Sequence, residues 1–262
     1  MSPSSTPLRP AEPNTVLPQP NGLGQAVDET VAVPFLNRWS DEPPLESTLH
    51  LHQLILLLNC LNWLWQDRDD YFAAGNLTVF YSSNQNKSED FRGPDFFVVL
   101  DTEKRPRRSW TVWEENGKYP HVIVELLSDS TAKTDRGLKK DLYQNTFRTP
   151  EYFWFDPETL ELQGFCLTSG RYDPVQPTAQ GWLWSQQLEL YLGVQESQLR
   201  FFTPASELVP TPEEAAAAQQ QRADAEQQRA ETQQQRADAA EQQNAKLVEK
   251  LRALGVDPDT LT

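Results

Sequence analysis

Hydrophobic and polar positions follow three different patterns along this chain, and the first of them predicts a helix. From about residue 45, side chains recur at spacings of three and four, in the order Leu45, Leu49, His52, Ile55, Leu56, Asn59 and Trp63. This spacing places them on one face of a helix over about residues 45–66. Pro43 and Pro44 come directly before it, where proline is compatible with a helix start.

The second pattern, a series of near-continuous apolar runs, predicts β-strands. Strands that are covered on both faces lose the polar-apolar alternation of a half-exposed strand. The predicted strands are 77–81, 94–100, 121–127, 152–155, 160–167, 181–184 and 188–192. A second helix is predicted over 130–147, with Leu138, Leu142 and Tyr143 on its inner face and Pro150 ending it. The order of elements predicts an α/β fold, a mixed sheet flanked by helices.

The third pattern is a polar run over residues 212–254 that contains the related heptads QQRADAE, QQRAETQ and QQRADAA. It has no internal Gly or Pro, so it predicts a helix about 65 Å long at 1.5 Å per residue. A strong coiled coil needs Leu, Ile or Val at both core positions, and only Leu247, Leu251 and Leu254 meet this need. Two interpretations stay open, an oligomerising or partner-binding helix and a solvated single helix.

These patterns divide the chain into three parts. Residues 1–30 are rich in Pro, Ser and Asn and have no periodicity, so we expect them to be disordered. All eight tryptophans lie between Trp39 and Trp184, which places the core within one domain over residues 31–205. Residues 206–262 are expected to form a linker and the long helix.

Composition narrows the possible functions. The net charge of −15 does not suit non-specific coating of nucleic acid, although a small basic groove or a bound metal would still allow contact with phosphate. Cys60 and Cys166 fit neither a disulfide framework nor a metal-ligand spacing, and we expect two buried thiols in a reducing compartment. The first residues, MSPSSTPLRP, lack the apolar region of a signal peptide, and the longest apolar stretch, 54–58, is too short to span a membrane. We therefore expect a cytoplasmic protein without a membrane partner.

Two acidic residues interrupt the apolar strands. Asp95 opens the run PDFFVVL, and Glu125 lies inside HVIVELL. A buried carboxylate is costly unless it is paired or bound to metal, and two that converge call for a cation such as Mg²⁺. On the following helix, Lys139 or Lys140 is expected to point back over the strand ends, where it would orient a metal-bound water or stabilise charge on a phosphate. Together these residues predict a site for phosphodiester hydrolysis.

The segments that carry these residues also resemble a known family. In order, GPDFFVV, VIVELLS, DRGLKKDLY and TPEYFWFDP resemble the Uma-type restriction endonuclease domain of the PD-(D/E)xK nuclease superfamily, over about residues 35–205. The resemblance implies a restriction-endonuclease-like fold. It also implies that Asp95 and Glu125 bind metal and that Lys139 is the catalytic lysine, with Lys140 as its alternative. Leu127 stands where the superfamily normally has a lysine.

Two further residues are possible accessories to this site. The superfamily often has a glutamate in its first helix, and Glu46 fits that place; His50, one turn later, shares its helical face. The sequence departs from the family at residues 128–131, which read Ser-Asp-Ser-Thr instead of Ser-Pro-Ser-Thr, and at Leu138, where a glutamate is usual. Neither departure removes a metal ligand.

The function that the sequence predicts is a Mg²⁺- or Mn²⁺-dependent endonuclease that hydrolyses DNA. The alternatives are a catalytically silent nuclease fold that works through its C-terminal helix, and a nuclease directed at RNA. A homodimer is expected, because cutting both strands with one site per chain favours a symmetric pair. Under the first interpretation of the long helix, a helical partner is expected for residues 212–254. The basic run KRPRR at 104–108 is either a solvated loop or a contact to the DNA backbone.

Overall fold

The computed structural model describes residues 47–82, 91–128 and 132–255 of the chain. The strands in this part are β1 (Tyr71–Gly75), β2 (Val79–Phe80), β3 (Phe91–Arg92), β4 (Phe96–Leu100), β5 (Trp110–Thr111), β6 (Val122–Leu126), β7 (Glu151–Phe155), β8 (Leu162–Thr168), β9 (Arg171–Pro174), β10 (Leu183–Ser185), β11 (Leu190–Gln195) and β12 (Gln198–Phe202). The helices are α1 (Thr48–Leu64), α2 and α3 (Pro212–Ala253). Helix α2 joins four segments, Ala132–Thr134, Asp135–Lys139, Lys140–Leu142 and Tyr143–Phe147, of which the second and fourth are π-helical.

A six-stranded sheet in the order β1-β4-β6-β7-β8-β9 forms the centre of the fold. Its neighbours are antiparallel except for β6 and β7, which are parallel and are connected through α2. Such a parallel pair needs a crossover connection. Two three-stranded sheets accompany it, β10-β11-β12 and β3-β2-β5. The predicted α/β architecture, a mixed sheet flanked by helices and followed by a long polar helix, is confirmed.

Both faces of the central strands β4, β6 and β7 are buried. Along β4, Phe96 and Val98 belong to the core that α1 closes, while Phe97 and Val99 belong to the core that α2 closes. This two-sided burial explains why the central strands are continuous apolar runs. Strand β6 follows the same rule, with Glu125 at a position on the α2 side. A charged group at that position must therefore find its partners inside the protein.

The face of α1 that carries the recurring side chains is not the face that the helix buries. Leu49 and Ile55 are 48% and 44% exposed, whereas the core contacts come from Leu54, Leu57, Cys60 and Leu61. The helix carries apolar residues on nearly every side, so a spacing of three and four does not define a unique buried stripe.

The inner face predicted for α2 is wrong in part. Leu138 is 73% exposed, although Tyr143 is fully buried as predicted. The π-helical segments rotate successive side chains by less than an α-helix does, so the α-helical spacing misplaces residues around the axis. The prediction of two buried thiols holds for Cys60 only, since Cys166 on β8, next to the edge strand β9, is half-buried.

Short and outer strands account for most of the remaining differences. The predicted strand 77–81 shrinks to the two residues of β2, and the predictions at 181–184 and 188–192 each begin before the observed β10 and β11. Strands β1, β3, β5, β9 and β12 were not predicted at all. The sequence of β1, YFAAG, contains Ala and Gly, which have a low preference for strands, and it is ordered by its antiparallel pairing with β4.

Helix α3 begins at a well-formed cap. Thr211 and Glu214 form a reciprocal capping box, and Pro212 occupies the first turn. Glu214 also accepts two hydrogen bonds from the buried Arg200, at 2.6 and 2.9 Å, which attach the helix start to β12. No residue of α3 is buried. A partner-binding role for α3 stays a prediction. The limits of the three predicted domains also stay predictions. Among the helices of the described residues, none has the length and apolar character to cross a membrane.

Gly164 on β8 is a position where the fold requires glycine. A Cβ there would lie 2.6 Å from the ring of Phe153, which is fully buried and cannot withdraw. We expect Gly164→Ala to lower the free energy of unfolding by about 1–3 kcal/mol, measured by urea denaturation. Gly137→Ala is the control, because a Cβ there meets nothing within 4 Å and alanine favours the helix. Equal stability of the Gly164 variant and the wild type would contradict this prediction.

Candidate active site

Asp95 and Glu125 meet at one end of the large sheet. Strands β4 and β6 pair with Phe96 opposite Val124, so the residue before Phe96 lies beside the residue after Val124. The backbone N–H of Asp95 donates to Glu125 Oε2 at 3.3 Å. In the other direction, the N–H of Leu126 donates to Asp95 Oδ2 at 2.7 Å. The two carboxylates thus converge as their positions in neighbouring strands predict.

Helix α2 covers Glu125 with a lysine and a tyrosine. The Lys139 ammonium lies 3.0 Å from Glu125 Oε2, and the Tyr143 hydroxyl donates to Glu125 Oε1 at 2.6 Å. Lys139 also pairs with Asp135, with Nζ 2.8 Å from Oδ1. Residues spaced by four share one side of a helix, so Asp135, Lys139 and Tyr143 form a row along α2. This row faces the end of β6.

His50 reaches the site from α1. Its Nε2 lies 3.0 Å from Asp95 Oδ1, and the imidazole is buried. Ser47 caps the helix by accepting a hydrogen bond from the His50 N–H at 3.1 Å, which fixes His50 in the first turn. Glu46, the other proposed accessory from this region, lies outside the described residues.

The structure separates the two candidate lysines. The Lys140 ammonium lies over the ring of Phe165, 3.4 Å from its centroid, in a cation–π contact. Lys139 instead contacts Glu125. Because neighbouring helical residues point in different directions, only Lys139 delivers its charge to the two carboxylates.

Burial and neighbouring charges together set the pKa values of Glu125 and Lys139. Complete burial raises the pKa of Glu125 well above its usual range, and Asp95 and Asp135 add to this effect although Lys139 opposes it. Burial also disfavours the charge of Lys139, but the carboxylates of Glu125, Asp135 and Asp95 outweigh it and raise the pKa of that ammonium. The lysine is therefore protonated at neutral pH.

The pKa values of Asp95 and Tyr143 are shifted in opposite directions. Burial disfavours the Asp95 carboxylate, but the His50 hydrogen bond and the charge of Lys139 outweigh it, and the pKa of Asp95 falls below its usual value. Burial and the neighbouring Glu125 raise the pKa of Tyr143 well above 10, so its phenol remains a hydrogen-bond donor. Asp95 is consequently the carboxylate that stays ionised most readily.

The donor set fits a hard divalent cation. The carboxyl groups of Asp95, Glu125 and Asp135 lie around one lysine and one histidine, so the cluster offers several carboxyl oxygens to a cation. Within the residues that the structure describes, no three His, Cys, Asp or Glu side chains form a ready metal-binding group. Mg²⁺ needs fewer protein ligands, because it is commonly held by one or two carboxylates with water and substrate phosphate. Asp95 and Glu125 meet that requirement.

Asp135 and Tyr143 are site residues whose role the sequence analysis missed. Tyr143 was predicted to be buried but without a polar partner, and Asp135 was not singled out. The available signal was their spacing of four from Lys139 on both sides. That spacing becomes informative only once Lys139 is known to face Glu125.

The basic run at 104–108 lies beyond the opposite end of β4 from Asp95. Arg107, with its side chain 3% exposed, pairs with Glu115 at 2.5 Å, and its guanidinium lies over the rings of Phe72 and Trp110. Arg105 also pairs with Glu115, at 2.8 Å. Arg107 therefore has a structural role. A contact between the other residues of this run and DNA stays a prediction.

The structure thus places two acids and a lysine at one strand end of a mixed sheet in an α/β domain. The sequence model of the Uma2 family, described as "Putative restriction endonuclease", matches residues 29–203, which is more than half of the chain. The chain belongs to the Uma2 family of restriction-endonuclease-like nucleases. Among solved structures, it is similar to a "putative nuclease belonging to DUF820" from Anabaena variabilis, with 14% identity, 59% of this chain and 82% of that chain covered, and a TM-score of 0.44. No curated protein matches the chain.

Proposed function

We propose that this protein is a metal-dependent endonuclease that hydrolyses phosphodiester bonds in DNA. The observation that carries the proposal is the convergence of Asp95, Glu125 and Lys139 at the adjoining ends of β4, β6 and α2. Membership in a family described as restriction endonucleases supports the choice of DNA over RNA. The convergence of carboxyl oxygens from Asp95 and Glu125 supports the choice of a hard divalent cation, Mg²⁺ or Mn²⁺.

Asp95 and Glu125 are the residues that would hold the cation. When bound there, a divalent ion supplies positive charge to the phosphate and lowers the pKa of a bound water. Neighbouring side chains fix the orientation of both carboxylates. His50 orients Asp95 through Oδ1, and Tyr143 orients Glu125 through Oε1. Fixing both groups before the substrate arrives reduces the cost of ordering the reacting atoms.

Lys139 acts as a hydrogen-bond donor in this proposal. In the protein without a bound cation, the carboxylates of Glu125, Asp135 and Asp95 raise the pKa of Lys139, so the side chain is an ammonium and donates hydrogen bonds. A fixed positive charge at this place stabilises the negative charge that builds up on the phosphate oxygens, and it also orients the attacking water. The symmetric homodimer and a helical partner for α3 are separate proposals that follow from the need to cut two strands and from the exposure of α3.

Purified full-length protein should nick supercoiled plasmid in the presence of Mg²⁺ or Mn²⁺ and not in excess chelator. Linear duplex, single-stranded and structured DNA, together with RNA of the same sequences, complete the substrate panel. Cleavage of RNA alone would replace this proposal with the RNA-directed alternative. Failure to cut any substrate with either cation would favour the catalytically silent alternative.

The pair Lys139→Met and Lys140→Met tests the assignment of the lysine. Removing one donor to a developing oxyanion typically costs about 10²–10³-fold in kcat, and we expect a loss of this size for Lys139→Met. Lys140→Met should stay within about threefold of wild type, because its charge lies over Phe165. Both nicking rates are measured at a temperature at which circular dichroism shows the variants to be folded. Equal losses for the two variants would contradict the assignment.

A further inference from the structure

The Lys139 ammonium lies between two carboxylates, one on β6 and one on α2. Glu125 Oε2, at 3.0 Å, belongs to the proposed cation site, whereas Asp135 Oδ1, at 2.8 Å, belongs to the same helix as the lysine. Asp135 is fully buried. Its backbone carbonyl accepts a hydrogen bond from the Tyr152 hydroxyl at 2.9 Å, which attaches this turn of α2 to β7. The position of Asp135 is therefore fixed by contacts other than its pairing with Lys139.

A cation bound to Asp95 and Glu125 would compete with Lys139 for the same oxygen. Glu125 Oε2 already accepts hydrogen bonds from Lys139 and from the Asp95 N–H. Two positive groups at one oxygen repel each other, and in a buried site this repulsion is only weakly screened. The contact between Lys139 and Glu125 is therefore weakened when a cation binds. The contact between Lys139 and Asp135 remains, because Asp135 does not bind that cation.

We propose that Asp135 is a positioning residue that holds the Lys139 ammonium beside the cation site when a divalent cation occupies Glu125. The inference rests on the proposed function and adds to it a residue that the family resemblance did not assign. In the absence of Asp135, Lys139 pairs with Glu125 alone and opposes the entry of the cation. The π-helical turn that spans Asp135–Lys139 brings the two side chains into contact, and π-helical turns frequently occur at functional sites.

Calorimetric titration of Mn²⁺ into the full-length protein tests this role, with wild type, Asp135→Asn, Lys139→Met and the double variant. Coupling between two sites typically changes affinity by about 5–150-fold, and without Asp135 the ammonium stays on Glu125, so we expect Asp135→Asn to weaken Mn²⁺ binding by about tenfold. Lys139→Met should tighten binding, because it removes the competing charge. If Asp135 acts through the lysine, Asp135→Asn should change the affinity by less than about threefold in the Lys139→Met background.

Asp141→Asn provides the matched control, since it removes the same charge from an exposed position on the same helix. Its Mn²⁺ affinity should remain within about twofold of wild type, because an exposed charge is screened. Nicking at saturating Mn²⁺ gives a second readout. We expect a lower kcat with an unchanged KM for Asp135→Asn, since the lysine remains misplaced after the cation has bound.

The possible results separate this inference from the proposed function. An equal loss of affinity from Asp135→Asn in both backgrounds would mean that Asp135 acts directly on the cation, which overturns the positioning role and leaves the nuclease proposal intact. A normal kcat at saturating Mn²⁺ would overturn the positioning role in the same way. A wild-type protein that binds no Mn²⁺ and cuts no DNA would overturn both.

Discussion

Asp95→Asn and Glu125→Gln are each expected to slow plasmid nicking by about a thousandfold. Each change removes one negative charge from the proposed cation site and preserves the size of the side chain. A bound metal contributes several kcal/mol to transition-state stabilisation, and about 4 kcal/mol corresponds to three powers of ten in rate. The rates are measured with supercoiled plasmid at a fixed, saturating concentration of Mn²⁺.

Glu158→Gln is the matched control for these two variants. It removes the same charge from an exposed loop between β7 and β8. Its nicking rate should equal that of the wild type, because an exposed surface charge is screened. Folding is verified separately by urea denaturation. Activity of Asp95→Asn or Glu125→Gln within tenfold of wild type would mean that the cation is not held by that residue.

The second large effect is on stability. Lys139→Met leaves the buried carboxylates of Glu125 and Asp135 without their shared positive partner. Breaking a buried ion pair by removing one member typically costs about 3–5 kcal/mol, and we expect a loss of this size in the free energy of unfolding at pH 8. Lys140→Met should cost less than about 1 kcal/mol, because Lys140 is only partly buried and the methionine keeps most of its packing.

The stability loss from Lys139→Met should depend on pH in a defined direction. Burial raises the pKa of Glu125 in the folded protein above its value in the unfolded chain. For such a carboxyl, the folded state is favoured at low pH, where the group is neutral, and loses stability as the pH rises through the raised value. Without Lys139 this dependence becomes steeper. The difference in unfolding free energy between variant and wild type should therefore shrink from pH 8 to pH 4.5. A difference that is constant or grows toward low pH would contradict this explanation.

The central strands were predictable because the physical cause of their sequence pattern is simple. Residues 96–99 are apolar without interruption since both faces of β4 are buried. The inner face of α1 was not predictable, because Leu49 and Ile55 are as apolar as the residues that it buries. Strand β1 depends on its pairing with β4 more than on its own preference, and such non-local stabilisation is not visible in a local window.

Part of the candidate site could also be predicted from the sequence. Asp95 and Glu125 stand out as acids in apolar strands, and their convergence follows once β4 and β6 are neighbours. The family resemblance favoured Lys139 over Lys140. The residues alone left that choice open, because it depends on the orientation of α2, whose π-helical segments depart from α-helical spacing. Asp135 was missed for the same reason, because its function depends on where Lys139 points.

The most direct test of the proposed cation site is a calorimetric titration of Mg²⁺ and Mn²⁺ into wild type, Asp95→Asn and Glu125→Gln, with plasmid nicking measured on the same samples. We predict that the wild type binds a cation and nicks, and that each variant loses both properties while remaining folded. A folded wild-type protein that binds neither cation at millimolar concentration, or variants that bind as well as the wild type, would contradict the assignment of Asp95 and Glu125 as metal ligands.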